Sequence, residues 1–120
     1  MARMNDYMSQ WQDYPKKKPV NGLYCMVAYE FPWDDKIETH YSMAVWFNAN
    51  TVLEMPDGEV TIIKNEGFYV PLDPRSLGLY WGMLTPNNRR IFAWQANDAP
   101  YREIEHLTWD FKICEVKQNE

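Results

Sequence analysis

The sequence predicts a mainly β fold of the β-rich α+β kind: an antiparallel sheet, or a small barrel or sandwich, of about seven strands preceded by a short helix. Two long apolar runs flank a short polar turn between Asn21 and Phe47, the pattern of a long hairpin. Turn signals then recur at intervals of roughly eight to twelve residues, the rhythm of a meander, barrel or sandwich. Aromatic residues make up 16% of the chain, with six Trp and eight Tyr, and such rings favour strands and interfaces alike. At 120 residues the chain has the size of one domain. It divides into a helix and Pro/Lys linker over 1–19, a β core over 20–116 and a frayed tail over 117–120.

Met4, Met8 and Trp11 stand at helical spacing behind Asn5 or Asp6 as a cap, which predicts one or two helical turns over Met4–Trp11. Tyr14-Pro15-Lys16-Lys17-Lys18-Pro19 ends that helix, because proline lacks an amide donor, and its three lysines predict an extended, solvated linker. In the next run Leu23, Cys25, Val27, Tyr29 and Phe31 alternate with Tyr24, Met26, Ala28 and Glu30, so both faces are largely apolar, as in a strand covered on both sides. Pro32 to Lys36 reverses the chain. From there Ile37, Thr39, Tyr41, Met43, Val45 and Phe47 share the core face, and Glu38, His40, Ser42, Ala44 and Trp46 share the other.

Thr51–Met55 and Glu59–Lys64 flank Pro56-Asp57-Gly58, and Asp-Gly between apolar runs signals a hairpin because Gly tolerates positive φ. Phe68-Tyr69-Val70 is a short strand or edge segment, followed by a proline-rich loop from Pro71 to Ser76. Leu79–Leu84 and Arg90–Gln95 are expected to pair across Thr85-Pro86-Asn87-Asn88-Arg89. Tyr101–Glu105 is expected to form an irregular or helical turn. Leu107, Trp109, Phe111 and Ile113 then point one way in a last strand.

A net charge of -5 and a pI near 5.0 argue against general binding to nucleic acid or to an anionic membrane, which calls for a surplus of Lys and Arg. No signal peptide is read in Met1–Asp13, and no apolar run reaches the roughly 18 residues that span a bilayer. A cytoplasmic setting is expected, with Cys25 and Cys114 as reduced thiols inside strand patterns.

Chemistry has few places to reside. The only imidazoles are His40 and His106, and Ser9, Ser42 and Ser76 sit in no nucleophile elbow. A small hydrolase or metal-dependent enzyme would need His40 and His106 to converge with Glu38 or Glu105. No dinucleotide, P-loop or CxxC pattern occurs, and we expect neither cofactor nor metal. The aromatic surplus points instead to binding, since rings serve as flat platforms and as interface anchors. Trp33, Trp46 and Trp81, with the Arg89-Arg90 tip, are the candidates for contact with a protein. Arg75, Arg89, Arg90 and Arg102, with Trp94, are the candidates for an anion pocket, because guanidinium forks suit phosphate and carboxylate. For Trp46 the sequence leaves both a second core layer and an exposed binding role open.

Trp11 followed by Pro19, with Gly22-Leu23-Tyr24 opening a strand, resembles the start of short phage and prophage domains. Trp94, Asp98 and then Leu107-Thr108-Trp109-Asp110 resemble the closing pattern of the phage anti-Thoeris cyclic-nucleotide sponge family. Here Pro100–Glu105 reads as an insertion and the family's small-residue loop is missing. The resemblance implies a phage-encoded antagonist of host defence, working as a small β-rich oligomer that sequesters a nucleotide or blocks a host protein. Residues and resemblance together lead to one expectation, a non-enzymatic protein that binds and inhibits a host protein. The alternative is a binder that sequesters a small nucleotide ligand, with a homo-oligomer among the assemblies expected.

Overall fold

A computed structural model of the chain describes residues 10–55, 58–72, 81–97, 109 and 111–114. Its strands are β1 (Gln12–Asp13), β2 (Tyr24–Trp33), β3 (Lys36–Phe47), β4 (Thr51–Glu54), β5 (Val60–Ile63), β6 (Gly67–Pro71), β7 (Trp81–Met83), β8 (Ile91–Ala96) and β9 (Lys112–Cys114), with a 3₁₀ turn at Pro86–Asn88. They form two antiparallel sheets, one of six strands in the order β1-β8-β2-β3-β6-β7 and one of three in the order β5-β4-β9. Among the described residues no helix is long and apolar enough to cross a membrane.

The β2–β3 hairpin is the spine, in register from Tyr24↔Val45 to Trp33↔Lys36. Its turn is tighter than expected. Pro32 and Trp33 stay in β2, and Asp34 alone takes a left-handed φ of 53°, a conformation that Asp tolerates better than most residues. The Asp-Gly hairpin forms as expected, pairing β4 with β5 from Thr51↔Ile63 to Glu54↔Val60, with Gly58 at φ 90°.

Apolar side chains on the two faces of the large sheet build two cores. On one face Cys25, Val27, Ala44, Trp46, Phe68 and Trp94 are buried together. Tyr14 closes this cluster, its ring 5.2 Å from Phe68 and 5.9 Å from Trp46. On the other face Val45, Phe47, Tyr69 and Trp81 meet Leu53, Met55 and Ile63 of the small sheet's hairpin. Phe111 packs 5.0 Å from Phe47 and Trp109 packs 6.1 Å from Trp81, the inward direction expected of both, but the last strand is shorter than expected: β9 begins only at Lys112, and Leu107 lies outside the described residues. Gly22 lies against that strand. Its φ of 85° favours glycine, and a Cβ there would stand 2.9 Å from Ile113 Cδ1, which would have to shift.

Several expectations are corrected. β7 and β8 do not pair: β7 lies on β6 (Tyr69↔Met83), whereas β8 lies between β1 and β2. Leu84 donates its N–H to Phe68 O, which holds the chain on β6 until the loop carries it across. The Pro/Lys segment keeps its three lysines exposed, as expected, but it is a turn anchored at both ends rather than an extended linker: Tyr14 caps a core, Pro19 is buried, Trp94 Nε1 donates to Lys17 O and Lys18 pairs with Glu66. Tyr41 lies on the core face of β3 yet is exposed, because the small sheet covers that face around Val45 and Phe47 and, among the described rings, only that of Trp11, 5.9 Å away, meets Tyr41. The helix expected over Met4–Trp11 falls mostly outside the described residues, and Trp11 itself leads straight into β1. The turn expected over Tyr101–Glu105 lies outside them altogether. Cys25 and Cys114 are free thiols, Cys25 buried and Cys114 half-buried.

Candidate functional site

The spine outruns its neighbours. β8 follows β2 only as far as Tyr29↔Ile91, with one further bond from Glu30 N–H to Arg90 O, and β6 follows β3 only over Val45–Phe47. Beyond those points the hairpin continues as a two-stranded arm. Isolated ribbons of two strands are marginal in water, and here cross-strand side chains add to a backbone ladder that is continuous with the sheet. The pairing puts Tyr29, Phe31 and Trp33 on one face with His40, Glu38 and Lys36. Phe31 stacks on His40 at 4.8 Å and 9°, and on Trp33 at 6.4 Å and 30°, while Tyr29 meets His40 edge-on at 5.9 Å. His40 Nε2 and Glu38 Oε2 share a hydrogen bond of 3.1 Å. The stack remains accessible: Phe31 is 39% exposed and Trp33 59%.

Facing this stack is the loop from Leu84 to Arg90. Asn88 anchors it by accepting the Phe68 N–H at Oδ1 and donating from Nδ2 to Glu66 O, both at 3.1 Å. Gly67 makes room for that amide, because a Cβ there would lie 2.6 Å from Asn88 Nδ2. Asn87, Asn88 and Arg90 all take left-handed φ, of 54°, 56° and 66°. Asparagine tolerates this conformation, but arginine gains nothing from it locally, and the expected strain is about 1–2 kcal/mol. The conformation sets the direction in which the Arg90 side chain leaves the turn.

Arm and loop enclose a groove of about 350 Å³, lined by Tyr29, Glu30, Phe31 and Pro32 on one side and by Leu84, Thr85, Pro86, Arg89 and Arg90 on the other. Among the described residues neither guanidinium is in an ion pair. Thr85 is buried and its hydroxyl has no hydrogen-bond partner. A second hollow, at the arm tip, is lined by Trp33, Asp34, Asp35, Lys36 and Glu38. The arm thus has an aromatic face with a basic groove at its base and acidic side chains at its tip. Planar groups can stack there, and carboxylate or phosphate can meet the arginines.

The structure sorts the candidates named from sequence. Trp33, Arg89 and Arg90 are exposed, the arginines lining the groove and Trp33 at the outer end of the ring stack. Trp46 is 1% exposed, Trp81 7% and Trp94 8%, so these three are core residues and not contact residues. Both faces of the sheet are covered where Trp46 sits, and its Nε1 is spent on Asn48 Oδ1 at 2.8 Å. Arg75, Arg102, Glu105 and His106 lie outside the described residues, and with them the four-arginine pocket and the two-histidine site. Among the described residues no group of three His, Cys, Asp or Glu side chains converges.

Sequence reasoning missed Tyr29 and Phe31 as site residues. An aromatic at every second position up to a turn, Tyr29, Phe31 and Trp33, was the signal, hidden because the same pattern suits a buried strand. No family model matches the chain, and neither does any curated protein or solved structure.

Proposed function

We propose that this chain is a non-enzymatic binding protein that masks a partner protein with the aromatic arm and the Arg89-Arg90 loop. The observation that carries the reading is the stack of Tyr29, Phe31, Trp33 and His40, kept in reach of solvent beside two guanidinium groups that no described carboxylate neutralises. Accessible aromatics next to arginine are the composition of interface anchors. Such a surface needs no catalytic constellation to act, only a complementary partner, and in the phage setting implied by the resemblance that partner is a host protein. The test is capture from host lysate with the wild-type chain and with a Phe31→Ser/Trp33→Ser variant. A host protein held by the first and lost from the second, at an unchanged melting temperature, supports the reading. Equal capture by both overturns it.

A second reading, a pocket for an anionic planar ligand such as a nucleotide, is favoured by the groove itself. Its volume falls in the range of small-ligand sites, and it offers rings on one wall and guanidinium groups on the other. Calorimetric titration with mononucleotides tests it. Binding that disappears in Arg89→Ala/Arg90→Ala would transfer the function from partner masking to ligand sequestration.

A further inference from the structure

We infer that the outer edge of β3 is a dimer interface, which a second copy of this chain completes as one continuous antiparallel sheet. Trp46 donates its N–H to Leu23 O and accepts from Gly22 N–H, so even-numbered residues of β3 turn their backbone groups toward β2. By the alternation of an antiparallel ladder, Ile37, Thr39, Tyr41 and Met43 turn theirs outward. β6 takes up that edge only from Val45 onward, and no other described strand pairs with it.

The two edges of the arm are built differently. On β2, the outward-facing Pro32 carries no amide donor, a usual means of closing an edge to pairing. β3 has no proline, and no bulge against β2 from Lys36 to Val45. An unprotected edge of this length invites another strand.

Self-complementarity identifies the occupant. Pairing between outward-facing residues restricts a two-fold axis to a few positions. Centred on Glu38 it opposes two like carboxylates, and centred on His40 or further along it drives the incoming arm into Val45, which β6 already holds. Centred on Thr39, it pairs Thr39 with Thr39 of the second copy, Ile37 with Tyr41, and Glu38 with His40. Each contact except the central one occurs twice. Ile37 and Tyr41 are the most exposed large apolar side chains of β3, at 65% and 61%, and this pairing puts each against the other. Glu38 and His40, already bonded along the strand, acquire a second partner across it. The ladder runs from Lys36 to Ser42 and stops where β6 begins. Only the edge is used, so the ring stack and the groove stay open, and the inference stands apart from the masking reading.

Sedimentation equilibrium over a concentration series tests it. The expected species has twice the chain's 14.4 kDa, and Thr39→Pro, which removes an outward donor without touching a β2 bond, should weaken association by about tenfold or more. A second test does not rely on that variant folding. In a Cys114→Ser background, Glu38→Cys mixed with His40→Cys should form a disulfide-linked heterodimer, because 38 faces 40 across the axis, while either variant alone should not cross-link. A single 14.4 kDa species at every concentration overturns the inference. So does a dimer that survives Thr39→Pro and fails to cross-link in the mixture.

Discussion

At the scale of single residues, burial decides which aromatics can reach a partner and which only pack. Trp46 is enclosed by Tyr14 and Phe68, whose ring lies 4.9 Å away, and its indole N–H has a partner. Trp46→Ala should cost about 3–5 kcal/mol, the usual cost of emptying a large core site. Trp33→Ala should change stability by less than about 0.5 kcal/mol, as befits an exposed side chain at a tip. Urea unfolding of the two variants measures the contrast. Cys25 offers a test by pH. Burial pushes its thiol from 9.0 up to about 12, and burial raises Tyr14 and Tyr69 in the same direction. Between pH 9.0 and about 12 the unfolded thiol has lost its proton while the folded one keeps it, so the unfolded state binds fewer protons and stability falls as pH rises. Urea midpoints should therefore drop from about pH 8 to about pH 11, with Cys25→Ala showing a shallower fall.

At the scale of elements, the Leu84–Arg90 loop combines strain with anchorage. Replacing Arg90 by glycine relieves the left-handed φ and should hold or raise stability, by up to about 1 kcal/mol, while weakening partner or ligand binding. Gly67→Ala should act the other way, pushing the Asn88 amide out and freeing two buried backbone groups, at a cost of about 1–3 kcal/mol. Thermal melts read both. The strands of the spine and of the Asp-Gly turn were legible because period-two alternation and turn chemistry are local. The partners of β7 and β8 were not. Adjacent strands usually pair, but Phe68 takes the Leu84 N–H and Glu30 takes the Arg90 carbonyl, so the two strands settle on opposite parts of the sheet. Trp46 was ambiguous for a related reason: its strand face is polar toward the tip, through Glu38, His40 and Ser42, and apolar where Ala44 and Trp46 enter a second core.

At the scale of the whole molecule, two cores hold the large sheet from both sides and leave the end of its longest hairpin free. Period-two patterning reports that a strand has two faces, but not how far the neighbouring strands extend, so the arm became visible only with the pairing. Trp33, Arg89 and Arg90 could be named from their residue types, while the groove that unites the arginines with Tyr29 and Phe31 depends on a crossing between distant strands. Small hydrophobic cores on two sides favour a rigid base, and a rigid base lets a projecting arm present fixed side chains to a partner.

The most direct test is amide hydrogen exchange of the chain, alone and with any host protein retained in the lysate capture. New protection is expected in residues 29–33 and 84–90, the two walls of the groove, with β4 and β5 unchanged. Protection confined to the β4–β5 hairpin, where Val60 and Ile62 are also exposed, would contradict it and move the binding surface to the small sheet.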